Sequence, residues 1–275
     1  MSKTKVVMTI AGSDSGGGAG IQADLKTFQS IGVFGTTVLT GVTAQNTAGV
    51  QNAVHLESSL VAEQFKSVAE DMEISAVKTG MLSNAQIIET VSDNLASFST
   101  KPWIVIDPVL AATSGDLLLE RQAVSTLLEK LIPISDIITP NIPEAEILTG
   151  INIDHSKDLQ KAAHKLKEAG AKSVLIKGGH TSGNATDHFF WEDEYHTFSA
   201  ERVGVGSLHG TGCTLGSAIC AYLSKTDDLL TSIKLAKKYV TQAINNSFTI
   251  GEGSKVLLHS SIGDEEVQEK EELNA

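Results

Sequence analysis

The sequence contains few cysteines and no Cys/His cluster with metal-ligand spacing. Its two cysteines among 275 residues are Cys213 and Cys220. If both lie on one helix, seven residues apart, their Cα atoms are about 10 Å apart, which is too far for a disulfide. This cysteine usage favours a reducing compartment.

Basic residues and long apolar runs are also scarce. Against 33 Asp and Glu there are 21 Lys and Arg, a net charge of −12, which argues against a polyanionic partner such as DNA. No apolar run approaches membrane-spanning length. Residues 6–11, behind Lys3 and Lys5, imitate a signal peptide, but the run is too short and a glycine-rich turn follows it. We therefore expect a soluble, cytoplasmic protein without a nucleic-acid or membrane partner.

Short apolar runs alternate with amphipathic stretches along the chain, and 41% hydrophobic residues are enough for a full core. The runs predict strands at residues 6–11, 38–42, 76–79, 103–106, 136–138 and 173–176. Helical periodicity predicts helices at 21–31, 58–72, 122–131, 157–169 and 229–247, another from a cap at Ser83 or Asn84 to about 98, and one that begins at Thr214. Residues 188–191 and 195–200 are typical of an edge hairpin, the only antiparallel piece expected.

This alternation predicts an α/β fold with a mostly parallel central sheet and helices on both faces. No linker or composition shift divides the chain, so one domain is expected at residues 1–260. Residues 264–275 hold six acids and one lysine, and residues 261–275 are predicted to form a frayed acidic tail.

Two glycine-rich stretches stand out, at residues 12–20 and at 209–214. The first follows the first strand but does not fit G-x-G-x-x-G, because Ile21 stands where the third glycine belongs, and no P-loop motif occurs. Nicotinamide and P-loop enzymes therefore lose support. The second stretch leads into a helix, whose unpaired N–H groups and dipole attract phosphate. An ordinary loop-to-helix junction is the alternative.

Polar side chains follow several predicted strands, at the edge where open α/β sheets bind ligands. Asp107 either caps a turn or helps to hold Mg²⁺. Asn141 and Glu144 either face a ligand or form a helix capping box. Lys177 suits nucleotide phosphates or ends a plain turn. Gln45 offers a donor beside an acceptor, which suits an aminopyrimidine edge, or it braces the following loop.

Seven stretches, taken together, resemble one family. They are TIAGSDSGGGAGIQAD at residues 9–24, VTAQNT at 42–47, VKTGML at 77–82, DPV at 107–109, TPNIPEAE at 139–146, KGGH at 177–180 and HGTGCT at 209–214. In this order they resemble the hydroxymethylpyrimidine/phosphomethylpyrimidine kinases of thiamine biosynthesis, which belong to the ribokinase-like superfamily. Pyridoxine kinases are close relatives. The resemblance extends from about residue 6 to residue 253.

The resemblance implies an ATP- and Mg²⁺-dependent kinase that phosphorylates a hydroxymethyl aminopyrimidine and then its monophosphate. It places Gly12, Asp24, Gln45, Met81, Val109 and Cys213 in the pyrimidine pocket. It also assigns residues to the binding of ATP, namely Asn141, Glu144, Lys177, Gly178, Gly179, His180, Asp187 and Gly212. It assigns Asp107 and Glu144 to the binding of Mg²⁺. Gly210, Thr211, Gly212 and Cys213 would form the catalytic anion hole. A homo-oligomer is expected, with a dimer favoured.

Two positions depart from the family pattern. Cys213 stands where many ribokinase-like kinases carry an aspartate base, and a thiol of pKa about 8.5 is a poor base at neutral pH unless the helix N-terminus lowers it. The sequence favours a contribution from the thiol and leaves open a role for its backbone N–H and small size. Ser207 and Leu208 stand where a more polar pair is typical. A pyridoxine kinase, a dual activity and a non-catalytic pyrimidine sensor are the alternative functions.

Overall fold

The computed structural model describes residues 4–110, 123–178, 183–204 and 208–260. The predicted tail at 261–275, Gly179, His180 and Ser207 lie outside the described residues. Among those described, a nine-stranded sheet has the order β3-β2-β1-β4-β5-β6-β7-β8-β9. Its strands are β1 (Val6–Asp14), β2 (Phe34–Asn46), β3 (Gly49–His55), β4 (Ile74–Thr79), β5 (Trp103–Ile106), β6 (Ile137–Ile138), β7 (Ser173–Ile176), β8 (Ala185–Trp191) and β9 (Glu194–Ala200).

Helices cover both faces of this sheet. They are α1 (Gly20–Ile31), α2 (Ser58–Ala69), α3 (Ala85–Ala96), α4 (Ala123–Thr126), α5 (Ile142–Thr149), α6 (Ser156–Glu168), α7 (Thr211–Thr226) and α8 (Leu229–Asn245). A π-helical turn, Leu127–Leu131, continues α4. Strand residues alternate between the two apolar layers: Ile104 and Ile106 pack with α2, α3 and α6, whereas Val105 packs with α7 and α8. The predicted α/β class and two-faced sheet are confirmed.

The six central strands, from β2 to β7, run parallel, and the β8–β9 hairpin is antiparallel at one edge as predicted. The expectation of a single antiparallel piece is wrong, because β3 pairs antiparallel with β2 at the opposite edge. β3 gives no sequence signal since five of its seven residues are exposed, so its side chains do not alternate between apolar and polar. β2 is also longer at both ends than the predicted 38–42.

The ends of two helices were predicted with different success. Asn84 caps α3, as its side chain accepts a hydrogen bond from the N–H of Ile87. The predicted start of α7 at Thr214 is wrong by three residues, because the helix begins at Thr211 with Gly210 as its N-cap. Gly210 has a φ of +86°, and a Cβ there would lie 1.8 Å from the carbonyl oxygen of Gly18. The two glycine-rich stretches therefore pack directly on each other.

The C-terminal segment, residues 255–259, contacts the N-terminal end of α7 and the strand before it. Its strand β11 (Lys255–Val256) pairs with β10 (Leu208–His209), just before α7. His259 follows and is buried, with its Nε2 3.1 Å from Oγ1 of Thr214. That hydroxyl donates to the carbonyl of Gly210 at 2.8 Å. Nε2 of His259 and the hydroxyl of Thr214 are therefore hydrogen-bond partners, and this contact supports the N-terminal turn of α7.

We expect stability to fall between pH 6.5 and 4 because of His259. Burial lowers the pKa of this imidazole from 6.5 to about 4. Below pH 6.5 the imidazole is protonated in the unfolded chain but stays neutral in the folded chain. The contribution of His259 to the free energy of unfolding is therefore complete above pH 6.5 and is lost as the pH falls toward 4. The loss is up to about 3 kcal/mol. Urea unfolding at several pH values should show a shallower pH slope in His259→Gln, and equal slopes would contradict this assignment.

Candidate active site

A cavity of about 670 Å³ opens at the carboxyl ends of the parallel strands, over the N-terminus of α7. Residues after β1, β4, β5 and β7 meet there because parallel strands end at the same edge. The predicted site residues that line it are Gly12, Gln45, Met81, Asp107, Val109, Asn141, Glu144, Lys177, Asp187, Gly210, Thr211, Gly212 and Cys213. Most of the residues that the sequence selected are thus brought to one cavity.

The floor of the cavity combines a helix N-terminus with a buried lysine. The first N–H groups of α7 have no partner within the helix, and its dipole puts partial positive charge there. Nζ of Lys177 donates to Oδ1 of Asp107 at 2.8 Å and lies 3.8 Å from Oε2 of Glu144. A Cβ on Gly212 would be 3.3 Å from that same Nζ. The absent side chain at Gly212 therefore leaves room for an anion between the helix N-terminus and Lys177.

Glu144 takes part in both of the roles that its sequence allowed. Its Oε2 accepts from the N–H of Asn141, and Oδ1 of Asn141 accepts from the N–H of Glu144, both at 2.8 Å. The capping box is therefore present, and the carboxylate still lines the cavity. Burial raises the pKa of Glu144 to about 7, with the charge of Asp107 acting in the same direction and Lys177 opposing both. Two carboxylates that share one lysine favour an additional cation.

At the far end of the cavity, Gln45 lies near Gly12 and Met81. A Cβ on Gly12 would lie 2.3 Å from Cε of Met81, so glycine is needed for the methionine to pack against the backbone. The carboxamide of Gln45 contacts Oγ1 of Thr43 and Nε2 of His209, each at 3.0 Å. Around Gln45 the lining combines Met81 with the polar side chains of His209 and Asp14, whereas Lys177 lies beside the carboxylates of Asp107 and Glu144.

A sequence profile of the phosphomethylpyrimidine kinases matches residues 14–257, nearly the whole described chain. The chain belongs to this family. The hydroxymethylpyrimidine/phosphomethylpyrimidine kinase of Haemophilus influenzae is 49% identical over 260 residues, covering 92% of this chain and 96% of that protein. The phosphomethylpyrimidine kinase structure from Clostridium difficile is 42% identical, with a TM-score of 0.78 and coverage of 88% and 100%.

A pyridoxal kinase is also similar in structure. The ADP complex of the Bacillus subtilis pyridoxal kinase is 33% identical, with a TM-score of 0.87, and covers 94% of this chain and 99% of that one. Phosphomethylpyrimidine kinases are phosphotransferases, so the chain is an enzyme of that class. In the part of the chain that the structure describes, no helix is both long enough and apolar enough to cross a membrane.

Asp24 does not lie where the resemblance placed it in this kinase. Its side chain is fully buried beneath the cavity and does not line it. Nζ of Lys78 donates to both carboxylate oxygens at 3.0 Å, and the hydroxyls of Thr9 and Ser217 each donate at 2.6 Å. The predicted direct contact of Asp24 with a pyrimidine is therefore corrected to a structural role, since each oxygen of this carboxylate already accepts two hydrogen bonds within the protein.

The ATP-facing prediction for Asp187 and Gly178 is modified by the structure. Asp187 reaches the cavity wall, yet Oδ1 accepts from the N–H of Gly178 at 3.0 Å and Oδ2 accepts from Nζ of Lys237 at 2.7 Å. Gly178 does not line the cavity, and a Cβ there would lie 1.7 Å from the carbonyl oxygen of Thr186. Asp187 of β8 is therefore joined to Gly178, just after β7, and to Lys237 of α8. The predictions for Gly179 and His180 fall outside the described residues.

Three residues near the chemistry were not assigned roles from the sequence. Lys78, Asp14 and His209 all line the cavity. Burial alone would lower the pKa of Lys78, but the charges of Asp24 and Asp107 and the hydrogen bond to Asp24 raise it, so the lysine stays cationic. A lysine inside an apolar strand was the available signal, because a buried charge requires a partner.

Cys213 could act as a base at neutral pH only if its thiol pKa were lowered, and the structure shifts that pKa in the opposite direction. Burial raises the pKa of this thiol to about 11, although Lys78 acts in the opposite direction. The side chain is therefore a thiol at neutral pH, even at a helix N-terminus. This supports the alternative that the backbone N–H and the small size of Cys213 matter more than its acidity.

We therefore expect Cys213→Ser to keep substantial activity. The serine preserves the size and the backbone N–H, and no thiolate is lost because almost none is present. In the wild type, kcat should show no rise with an acidic thiol pKa between pH 6 and 9. Comparing the pH–rate profiles of both proteins checks this. A rise in the wild-type profile that is missing from a nearly inactive serine variant would restore the thiol as the base.

Proposed function

We propose that this kinase transfers the γ-phosphoryl group of ATP to the hydroxymethyl group of 4-amino-5-hydroxymethyl-2-methylpyrimidine, and then phosphorylates the resulting monophosphate. The observation that carries the proposal is that one cavity is lined by Gln45 and Met81 together with the N-terminus of α7, Lys177 and the carboxylates of Asp107 and Glu144. Catalysis would come from positioning and from stabilising charge, since phosphoryl transfer has a loose transition state and leaves little covalent work to the protein.

Each end of the cavity then has a distinct task. Gly12, Gln45, Met81 and Val109 would hold the pyrimidine, and the N–H groups of residues 210–213 would stabilise the phosphoryl group in transfer. Lys177 would neutralise phosphate charge, with its own position set by Asp107. Asn141 and Asp187 would face the nucleotide, the latter while it also holds the N–H of Gly178. The loose transition state asks little of a base, so a protonated Cys213 is compatible with turnover.

The donor set fits Mg²⁺. Among the described residues, the hydrogen bonds to the carboxylate of Asp107 go to Oδ1, from Lys177 and Thr139, which leaves Oδ2 facing the cavity. Asp107 and Glu144 would hold the ion, which when bound neutralises charge on the phosphates. No group of three ligating side chains occurs in the described part of the chain, as expected for Mg²⁺, which takes one or two carboxylates and completes its shell with water and phosphate.

A pyridoxal kinase activity is the second candidate, favoured by the structural similarity to the Bacillus subtilis pyridoxal kinase. A coupled ADP-release assay with the pyrimidine, its monophosphate, pyridoxine and a sugar alcohol separates the candidates. We expect the two pyrimidines to give the highest kcat/KM. Turnover of pyridoxine alone would replace the proposal by the second candidate, and binding without turnover would indicate a sensor.

The cytoplasmic location and the homodimer stay predictions; light scattering tests the latter.

Gln45→Ala is expected to weaken binding of the pyrimidine by about 1–3 kcal/mol, because the partner groups of a half-buried amide are left unpaired. Pyridoxine lacks an adjacent ring nitrogen and amino group, so its turnover should change less. Measuring kcat/KM for both substrates on this variant checks the prediction. Equal losses would mean that Gln45 only braces the loop after β2 and carries no preference for the pyrimidine.

A further inference from the structure

A hydrogen-bonded cluster joins the amide of Gln45 to the two glycine-rich stretches. Nε2 of His209 lies 2.9 Å from Oδ2 of Asp14 and 3.0 Å from the amide nitrogen of Gln45. On the other side of that amide, Oγ1 of Thr43 lies 3.0 Å from Oε1 of Gln45 and 3.0 Å from the carbonyl oxygen of Ser13. One amide is therefore held between a histidine and a threonine.

The positions of these groups are fixed by the surrounding backbone. Asp14 accepts from the N–H groups of residues 16, 18 and 19 at 2.8 to 3.0 Å, and the ring of His209 lies on Gly18, where a Cβ would be 2.5 Å from its Cδ2. The backbone N–H and carbonyl of Gln45 are both bonded to Oγ of Ser15 at 2.8 Å. Only the rotation of the Gln45 amide is left to be decided.

The protons on His209 and Thr43 determine how the side-chain amide of Gln45 is rotated. Burial raises the pKa of Asp14, but the hydrogen bonds from His209 and from the backbone N–H groups outweigh burial, and the net pKa is lowered. Asp14 is therefore an ionised carboxylate, which can only accept hydrogen bonds. Nε2 of His209 must then carry a proton, and a protonated Nε2 cannot accept from an amide NH₂. Thr43 favours the same rotation, because turning the amide nitrogen of Gln45 toward it removes the competition of two oxygens for its single proton. Oxygen and nitrogen of an amide are assigned from such networks.

We propose that His209, anchored by Asp14, is a specificity-determining positioning residue that turns Oε1 of Gln45 toward itself and the amide nitrogen toward Thr43. In this arrangement the single Nε2–H of His209 is shared between Oδ2 of Asp14 and Oε1 of Gln45 as a three-centre hydrogen bond, the amide donates to Thr43, and Thr43 donates to Ser13. Each proton then has an acceptor. Oε1 keeps a free lone pair and the amide nitrogen keeps a second N–H.

The consequence concerns which ring edge the cavity accepts, and it rests on the proposed pyrimidine kinase function. A ligand edge with a donor beside an acceptor can pair with the amide only when the donor meets Oε1 and the acceptor meets the amide nitrogen. A fixed amide thus accepts the 4-aminopyrimidine edge in one orientation. If the amide could rotate freely, both orientations would bind and the hydroxymethyl group would often point away from α7.

The first test locates the proton in the wild-type, ligand-free protein. Long-range ¹H–¹⁵N spectra of the ¹⁵N-labelled protein should show His209 protonated at Nε2. A ring protonated only at Nδ1 would overturn the proposal, because its Nε2 would then accept from the amide. This measurement does not depend on catalysis, so it decides the amide orientation even if the pyrimidine proves not to be a substrate and the proposed function fails.

The second test separates a specificity role from a structural one. His209→Phe keeps a ring without the donor, and we expect the KM for the pyrimidine to rise by about tenfold or more, with kcat and pyridoxine turnover changing less. His209→Gln keeps an N–H donor near the same place and should restore much of the loss. His164→Phe, on the exposed face of α6, is the matched control. Equal losses for both substrates, or no loss, would contradict the proposal.

Discussion

Gly212→Val is expected to lower kcat by roughly 10²- to 10³-fold, the effect of losing a donor from an anion hole, while the protein stays folded. Gly212 is in the first turn of α7, and a Cβ there would lie 3.3 Å from Nζ of Lys177 and 3.7 Å from Oδ2 of Asp107. A branched side chain would fill the space in which the phosphoryl group must approach the N–H groups and would displace the lysine.

The measurement is steady-state turnover of the pyrimidine, with circular dichroism as the check on folding. Gly204→Val is the matched control, because it adds the same side chain where no atom of the described residues, apart from its chain neighbours, lies within 4 Å of the new Cβ. The control should keep its activity. A folded Gly212→Val protein with wild-type kcat would remove the α7 N-terminus from the mechanism.

Asp24→Asn is expected to cost about 3–5 kcal/mol of unfolding free energy, because it leaves the charge of Lys78 buried without its partner. Both side chains are fully buried, and Nζ of Lys78 bonds to both oxygens of Asp24. The pair joins α1 to β4 and lies beneath α7, whose Ser217 donates to the same carboxylate. Loss of the pair should therefore loosen the floor of the cavity as well as the core.

Urea denaturation of three variants checks this prediction. The double variant Asp24→Asn with Lys78→Met removes both charges and should recover part of the lost stability. Glu70→Gln, which breaks the exposed Lys66–Glu70 pair, should leave the midpoint almost unchanged. If Asp24→Asn were as stable as the wild type, Lys78 would have to be neutral or solvated, contrary to the structure.

Part of the active site could be predicted because its signals are local. The apolar runs that became β1, β5 and β7 indicated buried parallel strands, and parallel strands bring the residues that follow them to one edge. Asp107, Lys177 and Gln45 were selected on that ground, and they line the cavity. The capping box of Asn141 and Glu144 spans four residues, so its geometry also follows from sequence.

Other features depend on contacts between residues far apart in the chain. Asp24 and Lys78 are 54 residues apart, and Gln45 and His209 are 164 apart. No local pattern indicates that a lysine in β4 approaches Asp24 of α1. β3 gave no signal because an exposed edge strand needs no apolar side.

By itself, the sequence determined the α/β class, the strand edge that carries the site, and the glycine-rich turn into a helix, because each follows from periodicity or backbone freedom within a few residues. Only the tertiary structure decided the protonation of Cys213, the buried role of Asp24 and the support of Gln45 by His209. Those properties depend on desolvation and on the partners within hydrogen-bond distance, and both are set when distant segments pack together.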